Sequence, residues 1–336
     1  MKILLNCHTP FLLAHGGAQL QIEQTKAALE KIGVTVEYVR WWDETQTGGI
    51  LHQIGRMDPS LITLAQKRGL KVAMTILLTE TCNRSAWELF VRKLSIRGVL
   101  AAPIPSQLKR QLPWRTYRMC DQMIVGLEAE RMVLEKVYGI QRERISVIPL
   151  GLTEAYLNSG PAARTEAHLI CTGTIGPSKN SVELAQFALA AQTPMLFVGK
   201  PFDFKSPYWL EFEKLIDGKI VKHHPHVGTE TGLIALLQQA RGFVLMSRYE
   251  NWSLAAHEAA GCKLPLLVPD QRWARECFGE QASYWPKKGH AASVAALRKF
   301  YDACPRLPAP QVRLYSWVQA AEMLRDTYAQ LLKRPA

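Results

Sequence analysis

The chain has 336 residues, enough for two domains of ordinary size, and its composition, 48% apolar and 21% charged, is that of a soluble globular protein. No apolar run approaches the roughly 20 residues of a membrane-spanning helix, and seven scattered cysteines without a C-x-x-C pair argue for a reduced cytosolic protein without structural zinc. The net charge of +12 favours anionic partners: a membrane surface, a nucleic acid or a phosphorylated substrate.

The opening MKILLNCHTPFLL carries one lysine and an apolar stretch, but His8, Pro10 and the lack of a small-residue cleavage site favour a strand over Lys2–Leu5 rather than a signal peptide. Ala18 to Lys31 is an amphipathic helix ending at Gly33, followed by a strand in VTVEYV. ILHQI is a short strand, Pro59 to Arg68 a helix, and LKVAMTILL a strand. Ala86 to Ile96 is a basic helix, QMIVGL a strand, Glu128 to Tyr138 a helix, and ISVIPLGL a strand. A polar segment with Gly160-Pro161 reads as a linker, after which the same alternation restarts.

In the second half AHLICTG, TPMLFVG, GKIVKHHP and GFVLMS are strands, and Ser181 to Ala191, Tyr208 to Ile216 and Thr231 to Ala240 are helices. A short helix then carries Glu258, Gly261 stops it, and a buried strand follows Pro265. A proline-rich stretch precedes a last helix, Tyr315 to Lys333, with an apolar stripe. Short strands alternating with helices predict an α/β protein of two doubly wound, Rossmann-like parallel-sheet domains. The expected boundaries are 1–160, 161–310 and a terminal helix, 311–336, that crosses back to the first domain.

Four features sit in loops after strands, where open α/β sheets bind ligands. Gly16-Gly17-Ala18 opens a helix, so backbone can approach a phosphate or sugar there, although the segment lacks dinucleotide-site spacing. Lys179 follows Gly173 in GTIGPSKN and can neutralise a diphosphate leaving group; the alternative is a surface lysine. Glu250-Asn251-Trp252-Ser253-Leu254 combines a carboxylate suited to vicinal sugar hydroxyls with amides at a helix start and Ser253 as its cap. Glu258 lies one turn further on, among alanines, where a charge is costly without partners; both acids could instead balance the helix dipole.

These residues give the chain its resemblance to GT-B fold glycosyltransferases of glycosyltransferase family 4. Glu250 and Glu258 match the Glu-x7-Glu motif, with Ala-Ala-Gly and Pro behind it, and Lys179-Asn180 matches the lysine of the donor domain. Gly16-Gly17-Ala18, VIPLGL and YSW match the glycine loop, the strand before the linker and the final crossing helix. The resemblance implies two domains facing across a cleft, with an acceptor-binding first domain and a donor-binding second. It implies front-face transfer with retention and no metal, Glu250 on the transferred sugar, Glu258 on the ribose, and the amides after Glu250 with Lys179 and Gly17 on the diphosphate. No cofactor is expected beyond the nucleotide-diphosphate sugar, a co-substrate.

Two positions depart from that pattern. Thr174 stands after Gly173 where an arginine is common, and Leu77 and Leu78 stand where many members have a histidine, with Glu80 as a substitute acid. Arg84, Arg92, Lys93, Arg97, Lys109 and Arg110 interleave with Trp87, Phe90, Leu94 and Trp114, a face for an acceptor or a membrane or simply a solvated basic surface. The leading expectation is a cytoplasmic enzyme, peripheral at the inner membrane face, acting on a lipid-linked or cell-surface glycan. A nucleic-acid acceptor (a modified tRNA or DNA base) and a catalytically silent nucleotide-sugar-binding protein are the alternatives.

Overall fold

The computed structural model describes residues 1–8, 17–103, 105, 112, 114–287 and 289–334. Gly16, Lys109 and Arg110 therefore lie outside the described residues. Two compact units emerge: Met1–Gly151 together with Trp317–Ala336, and Leu152–Ser316.

The first unit runs β1 (Lys2–Cys7), α1 (Gly17–Lys31), β2 (Thr35–Tyr38), β3 (Ile50–Ile54), α2 (Pro59–Lys67), β4 (Lys71–Thr75), α3 (Thr79–Cys82) and α4 (Ala86–Ala101). It continues with α5 (Arg115–Met119), β5 (Gln122–Val125), α6 (Glu128–Lys136) and β6 (Ile145–Val147). Its six strands are parallel in the order β2-β1-β3-β4-β5-β6. The strand expected over LKVAMTILL stops at Thr75, and Thr79–Cys82 turns into a helix carrying exposed Glu80. ISVIPLGL is strand only over Ile145–Val147, because Pro149 has no N–H to extend the ladder.

β3 is buried at every position, including its two polar residues. Gln53 accepts from Asn6 Nδ2 at 2.7 Å. His52 Nε2 meets Thr75 Oγ1 at 2.7 Å, and its Nδ1 meets the Tyr328 hydroxyl at 2.6 Å. Burial pushes the His52 imidazole down to about 3, so it is neutral. Glu130, fully buried, accepts from the Leu78 amide at 2.6 Å and the Gly126 amide at 3.0 Å, tying together the loops after β4 and β5.

The second unit runs α7 (Glu154–Leu157), β7 (Leu169–Thr172), α8 (Ser181–Ala190), β8 (Met195–Val198), α9 (Pro207–Glu213), β9 (Val221–His224) and α10 (Glu230–Gln239). Then come β10 (Gly242–Val244), α11 (Leu254–Gly261), β11 (Leu266–Val268), α12 (Arg272–Phe278), β12 (Ser283–Tyr284) and α13 (His290–Ala303). The parallel sheet is ordered β12-β11-β10-β7-β8-β9, so successive strands are added on one side from β7 to β9 and on the other from β10 to β12, and the order switches between β7 and β10. Helix α14 (Trp317–Lys333) belongs to the first unit, where it packs on α1 and supplies Tyr328 to His52.

Gly261 is the last residue of α11, and Lys263, at φ 61°, takes the left-handed conformation that ends it. The glycine answers to packing instead. A β-carbon there would sit 3.1 Å from the carbonyl oxygen of Tyr156 on α7.

Candidate donor site in the second unit

An open parallel sheet leaves a crevice at the carboxyl ends of the two strands where its order reverses. In the second unit those strands are β7 and β10. β7 ends at Thr172, and Gly173 follows at φ 135°. The loop after β8 presses against it, since a β-carbon on Gly199 (φ 146°) would overlap the Gly173 carbonyl oxygen. The chain then makes a 3-10 turn, Pro177–Lys179, and enters α8 through Asn180, held left-handed at φ 53°. Asparagine tolerates that region better than most residues.

From the neighbouring strand, the segment after β10 descends onto this turn. The Arg248 amide donates to the Ser178 carbonyl at 2.9 Å, and Asn180 Nδ2 donates to the Met246 carbonyl at 3.0 Å. The Arg248 guanidinium donates to Asn180 Oδ1 at 2.6 Å and to Glu183 Oε1 at 2.7 Å. Two residues on, Glu250 is 9% exposed and closes an ion pair with Lys179 Nζ. The lysine and the first glutamate, distant in sequence, thus meet side chain to side chain. Arg248 puts a cation beside this turn, in a protein whose Gly173 is followed by Thr174.

Ser253 is the N-cap of α11, its hydroxyl accepting from the Ala256 amide at 3.3 Å. Asn251 is buried beside it. Trp252 stacks on His257 with centroids 4.2 Å apart and planes at 9°. His257 Nδ1 donates to the Ser253 carbonyl at 2.8 Å, and burial lowers its pKa to about 4. Among the described residues, three buried polar atoms around this crevice lack a hydrogen-bond partner: Thr172 Oγ1, Ser247 Oγ and Trp252 Nε1. Orphans of this kind cost free energy unless a ligand or water meets them.

Glu258, on the next turn of α11, is partly buried, and among the described residues its carboxylate has neither a hydrogen bond nor an ion pair. Burial, reinforced by the charge of Glu230, pushes it up to about 7. Glu230 itself accepts from Thr153 Oγ1 at 2.5 Å. Tyr156 packs nearby; burial raises its phenol, and Glu258 adds to the effect.

The remaining sequence candidates lie in the first unit. Gly17 opens α1; Glu80 is on α3; Arg84, Lys93 and Arg97 are on or just before α4. Arg92, half-buried on α4, donates to the buried Tyr138 hydroxyl at 3.0 Å. Sequence reading missed Arg248, Asn180 as a left-handed helix entrance, Glu230 facing Glu258, and Glu130. Only Asn180 left a local signal, an asparagine between a Pro-Ser-Lys turn and a helix.

Among the described residues, no group of three or more His, Cys, Asp or Glu is placed to hold a metal ion. No protein-family model matches the sequence, and no curated protein matches it. The structure is similar to sucrose-phosphate synthase from Thermosynechococcus elongatus, with a TM-score of 0.67 and 16% identity over 98% of each chain. It is also similar to the lipopolysaccharide outer core galactosyltransferase WaaB in its apo form (TM-score 0.64, 12% identity, 98% of this chain and 99% of that one). A third likeness is to Anabaena HepE in complex with UDP-glucose, at 0.60 and 13% over 98% of this chain and 100% of that one. At such identities the likeness is one of fold, and the fold, two parallel α/β units in one chain, is that of GT-B glycosyltransferases.

Proposed function

We propose that the protein is a retaining glycosyltransferase of family 4 that moves a sugar from a nucleotide-diphosphate sugar to an acceptor hydroxyl. The observation that carries the reading is the meeting of Lys179 and Glu250 at the reversal point of the second sheet. Without ligand the two charges neutralise each other. A diphosphate gives Lys179 a more highly charged partner and frees Glu250 to accept from hydroxyls of the transferred sugar. Glu258, which has no partner of its own among the described residues, would take the two hydroxyls of the nucleotide ribose.

In this mechanism the bond between the anomeric carbon and the β-phosphate oxygen breaks first, leaving an oxocarbenium-like centre. Negative charge accumulates on the departing oxygen, where Lys179 and the amides at the start of α11 stabilise it. The acceptor hydroxyl attacks from the same face and passes its proton to that oxygen, so configuration is retained. These protein groups supply the charge neutralisation, and the reading calls on no metal. The neighbour bound to UDP-glucose makes UDP-sugars the first donors to try.

The same reading makes the acceptor a lipid-linked or cell-surface glycan, met at the cytoplasmic face of a membrane. Its support is α4, which buries only Ile96 and leaves Trp87, Phe90, Val91 and Leu94 exposed on the opposite face. Arg84, Lys93 and Arg97 flank that stripe, the pattern of a helix lying on an anionic surface.

The test is turnover of radiolabelled UDP-, GDP- and ADP-sugars. Wild type should hydrolyse or transfer at least one of them, and Lys179→Ala and Glu250→Ala should lose about 10²-fold or more of that rate. Equal rates in wild type and both variants, or no binding of any donor, refute the reading. Flotation with anionic vesicles, lost in Trp87→Ser with Phe90→Ser, tests the membrane part.

A further inference from the structure

The first unit carries a second surface that the donor chemistry does not use. After the edge strand β2 the chain turns sharply at Arg40–Asp43, closed by the Asp43 amide on the Arg40 carbonyl at 3.1 Å and by an Arg40–Asp43 ion pair at 2.7 Å. The two residues at the tip are Trp41 and Trp42, 57% and 99% exposed. Turn tips are ordinarily glycine, asparagine, aspartate or proline, for conformational reasons that tryptophan does not share.

The turn is also held firmly. Gln46 accepts from the Arg40 amide at 2.9 Å and donates to Glu37 and to the Tyr38 carbonyl, each at 3.0 Å, while Thr45 bonds Asp43. A rigid turn that presents two indoles to water has no account in folding, because neither ring is buried by it.

Trp41 leans on His8 at the carboxyl end of β1, centroids 6.0 Å apart. His8 in turn lines a cavity of about 310 Å³ with Arg56, Asp58 and Thr116, at the small end of the range for small-molecule sites. Asp58 is partly committed as the N-cap of α2, whereas Arg56 has no ion pair among the described residues.

We propose that the Trp41–Trp42 turn and the adjoining His8–Arg56 cavity form a binding platform for a neutral saccharide, the acceptor glycan of the transferase reading. Sugar rings expose an apolar face of C–H bonds that lies flat on an indole, and their hydroxyls suit the mixed donors and acceptors of the cavity. The charge around the turn decides against the other ligands that stack on tryptophan. Lys2 and Arg40 are paired with Glu37 and Asp43, which leaves Glu44 and Asp58 against Arg56, a surface close to neutral with no excess of cations. A phosphate backbone or an anionic bilayer needs a cluster of free cations that this turn does not offer, whereas a neutral glycan does not. The word acceptor rests on the proposed function; the binding does not.

The experiment uses the full chain on an immobilised array of diverse oligosaccharides, with single-stranded oligonucleotides and phosphatidylglycerol vesicles printed alongside. Wild type should bind at least one saccharide class. Trp41→Ala and Trp42→Ala should each weaken that binding about tenfold, about 1.4 kcal/mol, with Trp42→Phe largely retaining it. Leu210→Ala, an exposed side chain on α9 of the other unit, should leave it unchanged. Binding to no saccharide, saccharide binding indifferent to both alanine variants, or tryptophan-dependent binding to oligonucleotides or vesicles alone would each overturn the proposal. A positive array with no donor turnover would refute the transferase reading and leave the platform standing.

Discussion

Glu258 offers a direct measure of how far the second unit is built for a ligand. Its carboxyl is pushed from the ordinary 4.5 up to about 7 by burial and by Glu230. That is about 2.5 pH units, and at about 1.36 kcal/mol each the ionised carboxylate costs the folded state about 3 kcal/mol at most. Solvent screening of a partly exposed group brings this nearer to half. Below about pH 4.5 the group is protonated in both folded and unfolded chains and costs nothing. Between about 4.5 and 7 the unfolded chain releases a proton that the folded one retains, so stability falls as pH rises. Above 7 the penalty is complete. Glu258→Gln should therefore match wild type at pH 4.5 and exceed it by about 1–3 kcal/mol at pH 8. Hydrogen exchange in graded urea, read on peptides of α11, separates this unit from the other. A variant whose advantage is the same at both pH values, or absent at pH 8, would refute the reasoning. Nucleotide should close the gap, because hydroxyls donated to the carboxylate offset its desolvation.

Three further outcomes follow from the contacts. Arg248→Gln removes the donors that pin Asn180 and Glu183, and should raise the KM for donor about tenfold with a smaller change in kcat; equal loss in both would argue that Arg248 acts on the transition state. Tyr328→Phe leaves His52 Nδ1 without its partner in a fully buried setting, and should destabilise the first unit by about 1–3 kcal/mol in chemical denaturation, with the second unit unaffected. Gly199→Ala drives a methyl into the Gly173 carbonyl at a positive φ, so exchange protection of β7 and β8 should fall and donor binding with it, whereas Gly228→Ala, with open space around it and no left-handed backbone, should be far milder.

Much of this architecture is legible in the sequence because fully buried parallel strands read as unbroken apolar runs, as in KILLN and QMIV. Strand ends were overestimated where apolar residues continue past the last pairing, as at Ile76–Leu78 and Leu245–Met246, since periodicity registers burial and not hydrogen bonding. Helices α12 and α13 go beyond what the sequence shows; α12 is only seven residues long, with its buried Trp273, Ala274 and Phe278 set among arginines and a glutamate. Within the candidate site, Glu250 and Glu258 could be read because the chemistry sits on one contiguous segment. Arg248, next to them, could not, because an arginine followed by tyrosine says nothing about an asparagine 68 residues away. Glu230 raises the Glu258 carboxyl from another helix, and His52 is held by a tyrosine 276 residues downstream. Such pairings belong to tertiary structure and leave no local pattern.

The placement of α14 has a consequence for how the chain is made. The first unit begins at Met1, but the helix that completes it, with the hydroxyl that satisfies His52, comes only after the whole of Leu152–Ser316 has been synthesised. At roughly 5–20 residues per second the nascent first sheet waits on the order of ten seconds for its last helix. During that interval the face of α1 that receives α14 is uncovered, and His52 at the centre of β3 keeps Thr75 on Nε2 but lacks the Tyr328 hydroxyl on Nδ1. The second unit has no such delay: its amino end returns to its carboxyl end, Leu152 beside Ser316, so it can close on itself as soon as it leaves the ribosome. The unit begun first is therefore the one completed last, and a chain that stops short of α14 would leave it without the helix that covers α1 and the hydroxyl that meets His52.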